Sequence, residues 1–182
     1  MGDTFQTVVD RDAAPRGAPR LARSVVDRWV AEGIVLADVQ PGVGLSDLQG
    51  HPPGPHWHKA VDDARRGAPE GVVVHTERHV FHSTFHGRDP STSCPRCAAV
   101  AEDSLLLSEA VARRHRTGEA DIPCHACGET SPLPSWHWSD DHLAFGHLGF
   151  EFWNWPSLSE EFRARTAESL PGHRTAFLAG RI

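Results

Sequence analysis

Four cysteines stand in two pairs, Cys94-Pro-Arg-Cys97 and Cys124-His-Ala-Cys127, with 26 residues between the pairs. Two intervening residues let both thiolates of a pair bend around one ion, and two such pairs complete a tetrahedral four-sulfur site. Thiolate softness and this geometry favour zinc, with iron held by four sulfurs as the alternative. A closed set of four thiolates leaves no position for water, so the ion is expected to fold its segment rather than to activate a substrate. Cys94-Pro-Arg-Cys97 ahead of a helix also imitates a redox dithiol. A dithiol gives no reason for the second pair, and unrelated buried thiols are the remaining alternative.

Both pairs carry parts of a Cys-Pro-x-Cys-Gly knuckle. The first keeps the proline, with Ala98 at the glycine position, and the second keeps Gly128, with His125 at the proline position. The pattern resembles zinc ribbons as a class, which implies a structural Zn2+ on Cys94, Cys97, Cys124 and Cys127 and no specific activity; His125 is a competing ligand. Together with Pro52-Pro-Gly-Pro55 and Gly149-Phe-Glu-Phe-Trp-Asn-Trp-Pro156, the knuckles look like those of small bacterial proteins that carry an inserted zinc ribbon.

The chain of 182 residues is long enough for one globular domain with a small attached module. Its apolar runs are far shorter than the roughly 20 residues of a membrane span, and residues 1–17 lack the apolar stretch of a secretory signal, so a cytoplasmic location with reduced thiols is expected. Eighteen basic against 24 acidic residues give a formal charge of −6, which disfavours a general nucleic-acid binder. Four thiolates and a divalent ion would take that charge to −8.

Residues 1–16 read as a flexible lead-in. Leu21, Val25 and Trp29 recur at helical spacing and predict a helix over 19–32, stopped by Gly33. Residues 34–38 read as a strand and 40–55 as a Pro/Gly-rich loop, followed by a short helix over 56–66. Strands over 72–75 and 79–83 are expected to form a hairpin. Asp103 is a candidate N-cap for a helix over 103–115. Residues 147–155, with Phe150 and Phe152 on one face and Trp153 and Trp155 on the other, predict a central strand covered on both sides. Ser157-Leu-Ser-Glu160 matches a capping box, and 175–179 reads as a last strand. These elements predict an α+β fold, a mixed-sheet scaffold flanked by helices over 17–90 and 135–182, with the zinc-ribbon module inserted at 91–134.

Thirteen histidines invite a second site. His75, His79, His82 and His86 fall within twelve residues, His51, His56 and His58 cluster upstream, and Asp140, Asp141 and His142 are further candidate ligands. Most are expected to be solvated or hydrogen-bonded, since no helical metalloenzyme spacing is present. Trp136, Trp138 and the aromatic run 150–155 are expected to be core before they are a docking surface. Arg96, Arg113, Arg114 and Arg116 make a basic patch that reads first as a solvated face. The function expected is therefore a non-catalytic zinc-binding protein that presents a surface to a protein partner. The alternatives are a hydrolase or lyase using a cleft of His75, His79, His82, His137, Asp140 and His142, and a nucleic-acid-binding ribbon.

Overall fold

The computed structural model describes residues 2–44, 48–66, 69–84 and 91–182. In chain order the elements are β1 (Thr4–Asp10), α1 (Ala18–Ala31), β2 (Gln40–Val43), β3 (Leu48–His51), β4 (Gly71–His75), β5 (His79–His82), β6 (Thr92–Ser93), α2 (Ser104–Thr117), β7 (Asp121–Pro123), β8 (Thr130–Pro132), β9 (His137–Trp138), β10 (Leu143–Gly146), β11 (Leu148–Trp153), α3 (Glu160–Glu168) and β12 (Thr175–Arg181). The fold is α+β, and none of its described helices is long and apolar enough to cross a membrane.

Among the described residues the main sheet has six antiparallel strands in the order β12-β1-β11-β4-β3-β2. Within it, β1-α1-β4 and β11-α3-β12 interlock, each pair of parallel strands leaving room for a strand of the other, which is the split β-α-β connectivity. Where that arrangement needs only a turn between β4 and β11, this chain runs through residues 76–147. The cysteine segment 91–134 is the inner part of that longer excursion.

The helix α1 forms as its spacing predicts: Ala18, Ala22, Val25, Val26 and Trp29 are buried on one face, Pro19 occupies the first turn, where its missing N–H is harmless, and Gly33 turns the chain out at φ +72°. Trp29 meets Phe150 and Phe152 edge-on at 4.9 and 5.4 Å and Phe162 of α3 at 5.6 Å. This is the core between the helices and one sheet face. On the other face Phe81 packs with Val9, Ala144, Ala176 and Leu178. Gly149 makes that approach possible, since a Cβ there would lie 2.3 Å from the Phe81 ring. Central strand β11 is thus covered on both sides.

Several expectations are corrected. Residues 4–10 are the inner strand β1, not part of a lead-in; Thr4, Phe5, Thr7, Val8 and Val9 form a β-favouring run, and Gln6 staples it by donating to the Trp155 and Pro156 carbonyls and accepting from the Leu158 N–H. Residues 34–38 make only an isolated bridge at Val35, and β2 and β3 lie within 40–55, whose residues 45–47 fall outside the description. Residues 56–66 hold two single 3-10 turns, Trp57–Ala60 and Ala64–Arg66. The strands β4 and β5 do not pair with each other; β4 joins the main sheet and β5 pairs with β10. Asn154 at φ +57° breaks the alternation, so Trp155 crosses to the helix side against Phe152 at 5.3 Å. Ser159 caps α3 instead of Ser157, accepting from the Phe162 N–H, because residues 156–158 are held extended by Gln6 and by the Val61–Leu158 bridge.

Candidate metal centre

The two cysteine pairs sit in two copies of one backbone turn. In the first, the Cys94 N–H donates to the Ala99 carbonyl at 2.9 Å and the Ala98 N–H to the Cys94 carbonyl at 3.0 Å; in the second, Cys124 donates to Glu129 at 2.8 Å and Gly128 to Cys124 at 2.9 Å. Each turn closes on a left-handed residue, Ala98 at φ +61° and Gly128 at φ +74°. The first turn follows β6, which pairs with β9, and the second joins the β7–β8 hairpin.

These turns bring the four sulfurs within 4.8 Å of one another. Cys94 and Cys127 Sγ are 3.9 Å apart and Cys97 and Cys124 Sγ 3.6 Å. A disulfide would need about 2.05 Å, whereas a tetrahedron of sulfurs about 2.3 Å from a central ion has edges of about 3.8 Å. The sulfur positions therefore fit a metal ion and not cross-links. The Arg96 N–H points at Cys94 Sγ at 3.3 Å. Cys94 and Cys124 are buried, and Cys97 and Cys127 face outward. Without an ion the sulfurs titrate against one another. The Cys127 N–H above all holds the Cys124 thiol down to about 6. At Cys127 the Glu129 N–H is outweighed by burial and by the Cys124, Cys97 and Cys94 sulfurs, which push it up to about 12. A divalent cation removes that mutual repulsion.

Beneath the sulfurs lies a separate core of Ala110, Ala120, Ile122, Leu133, Trp136, Trp138 and Phe145. It reaches past residue 134, because β9 completes the strand pair that starts the first knuckle. The helix α2 packs on it, N-capped as predicted by Asp103, which accepts from the Leu106 N–H. His125 is exposed, 3.9 Å from Glu102, and does not join the four sulfurs.

The left-handed Ala98 gives a direct test. A non-glycine residue there costs about 1–2 kcal/mol, partly offset by glycine's greater freedom in the unfolded chain. Ala98→Gly is expected to stabilise the metal-loaded protein by about 0.5–1 kcal/mol, and Gly128→Ala to destabilise it by about 1 kcal/mol. Nothing lies within 4 Å of a Cβ at Gly128, so its cost is conformational alone. Denaturation midpoints of the two variants, moving in opposite directions, check this.

The histidines do not gather as the cleft reading expects. His75 and His79 stack at 4.5 Å, and His75 Nε2 meets Glu151 Oε2 at 2.8 Å. They line a polar cavity of about 420 Å³ with Thr76, Glu77, Arg78 and His115. His82 instead faces Phe5, His137 is exposed on β9, and the His142 ring meets the Ser139 carbonyl and Trp138. Asp140 lies in a left-handed turn and Asp141 pairs with Arg11. His51 meets the Leu36 carbonyl, and His56 and His58 lie side by side. His86 falls outside the described residues. Among the described residues, no second group of three or more potential ligands converges. In the basic patch, Arg113 and Arg114 donate to the Asp121 and Gly118 carbonyls past the end of α2. Arg96 and Arg116 are exposed.

Glu151 was not legible as the partner of His75, since only the β4–β11 register places it there. Burial foremost, then the neighbouring His75, lowers the His79 pKa to about 4. A histidine whose folded pKa lies below its unfolded value near 6.5 contributes fully above 6.5 and loses that contribution as pH falls toward 4. With partial exposure discounted, acidification from pH 7 to 5 is expected to cost about 1 kcal/mol through this residue. His79→Phe, which keeps the ring stack, should flatten that part of the stability profile; urea midpoints at the two pH values measure it.

No family model matches the chain, and neither a curated protein nor a solved structure is matched.

Proposed function

We propose that this chain is a non-catalytic zinc-binding protein whose metal-held module presents a surface to a protein partner. The observation that carries the reading is the four-sulfur cluster at tetrahedral spacing. Its donor set is closed and suits zinc, so the ion's task is to hold the module's shape. The partner surface is supported by Val100, Leu105 and Leu106, which leave their apolar side chains exposed on the module, Leu105 by 75%. Metal analysis of the purified full chain should return about one zinc per chain without the red absorbance of four-sulfur iron. Iron, or metal-free oxidisable thiols, would overturn the zinc reading. A photo-crosslinking residue at position 105 should form a covalent protein adduct in cells that one at position 65 does not; equal labelling would overturn the partner surface.

A second reading, a hydrolase or lyase, draws support from His75, which lines the open polar cavity and is paired with Glu151 behind it, an arrangement able to hold and pass a proton. His82, His137, Asp140 and His142 are not among the residues lining that cavity, which leaves the pair without the partners the cleft reading needs.

A further inference from the structure

The geometry points to a cavity beside the metal centre as an anchor pocket for one bulky apolar side chain, leucine or phenylalanine, adjacent to a basic residue of a partner polypeptide. This rests on the protein-partner reading above and names the chemistry of that partner.

The cavity holds about 140 Å³ and lies between α2 and β7, walled by Leu106, Leu107, Ile122, Pro123 and Trp136. An apolar cavity of about 150 Å³ accepts benzene, so this one has room for a single ring or branched side chain. Trp136 is 4% exposed, and its indole N–H has no acceptor. In the same molecule the Trp138 and Trp155 N–H groups donate to the Leu133 and Gly71 carbonyls, while the Trp153 N–H, away from this cavity, is unpaired as well. A buried donor left unpaired costs about 1–3 kcal/mol. An occupant seated against the Trp136 ring changes the surroundings of that N–H, which makes it the reporter for the cavity.

Charge selects the neighbour. Two carboxylates, Glu102 and Asp103, stand at the cavity rim against one imidazole, His125, which lies 3.9 Å from Glu102, and four thiolates around a divalent ion would add a net charge of −2 beside Cys124. The cationic side chains of Arg113 and Arg114 are tied to the opposite end of α2. A Lys or Arg next to the anchor is attracted and an acidic residue is repelled. Leu106, itself exposed, carries the apolar lining out to the surface.

The test uses the zinc-loaded full chain, with the Trp136 indole N–H followed by ¹H–¹⁵N correlation spectroscopy and assigned through Trp136→Phe. Three probes are titrated: N-acetyl-Phe-Arg amide, N-acetyl-Phe-Glu amide and N-acetyl-Gly-Arg amide. The expected result is a saturable shift of the Trp136 resonance with Phe-Arg, at least tenfold weaker binding of Phe-Glu and no saturation with Gly-Arg. Leu106→Trp, which fills the cavity, should abolish the shift while zinc content stays at one per chain. No saturable shift with Phe-Arg, or equal response to Phe-Arg and Phe-Glu, overturns the proposal. A Trp136 resonance that moves with protein concentration alone also overturns it, because a second copy then occupies the cavity. Adducts at position 105 without a peptide shift would leave the partner surface standing and remove only the pocket.

Discussion

Cys124→Ser is expected to abolish stoichiometric metal binding and to unfold the module while the helix-backed sheet persists. The sulfur of Cys124 is buried and lies 3.6 Å from that of Cys97, so the substitution removes one of four ligands from the inside of the site. Structural four-ligand zinc contributes about 10–16 kcal/mol of apparent binding energy, more than so small a core recovers by apolar burial alone. The core beneath the sulfurs, built on Ile122, Leu133, Trp136 and Trp138, shares no buried residue with the core around Trp29. Loss of metal should therefore red-shift the emission of Trp136 and Trp138, lower amide protection across 92–138 and leave protection in β1, β11 and α1. A chelator acting on the wild type should reproduce this. Retention of one metal per chain by the variant, or collapse of both cores together, would contradict the assignment.

Trp29→Ala should have the opposite distribution. Trp29 is 3% exposed and touches Phe150, Phe152 and Phe162, so it joins both helices to the central strand. Truncating a buried tryptophan costs about 3–5 kcal/mol, a large part of the 5–15 kcal/mol typical of a domain. For a chain of this length that corresponds to a fall in the melting midpoint on the order of 10 °C. Metal content of the folded fraction should stay at one per chain, because no cysteine touches this cluster. An unchanged midpoint would show that the layered packing does not carry the fold's stability.

The legible parts share a property: their signals are local. Asp103 three residues ahead of Leu106, the apolar repeat from Ala18 to Trp29 and the two-residue gaps between cysteines each encode a geometry within one or two turns of chain. Hydrogen bonds or burial of the same short span then realise it. Where the readings missed, a distant segment decided. The strand at Thr4–Asp10 precedes a charged, proline-bearing stretch, and its place between β11 and β12 is set by pairing with residues about 140 and 170 positions away. Asn154 redirected Trp155 through one left-handed residue that no alternation pattern contains. The cap moved from Ser157 to Ser159 because Gln6, from the other end of the chain, holds residue 158 extended.

The amino-acid order by itself determined a cluster of four cysteine sulfurs within metal-binding distance, because each two-residue gap lets both sulfurs of a pair turn to the same side and the two pairs match. It also determined the amphipathic helices and a central aromatic strand, whose periodicities follow from backbone geometry. Only the tertiary structure decided that β5 and β10, paired with each other between β4 and β11 in the chain, cover the sheet face opposite the helices, that Glu151 faces His75, and that the cavity wall includes Trp136, whose N–H is unpaired. Those outcomes depend on strand register and on which surfaces compete for burial, and both are settled by the whole chain at once.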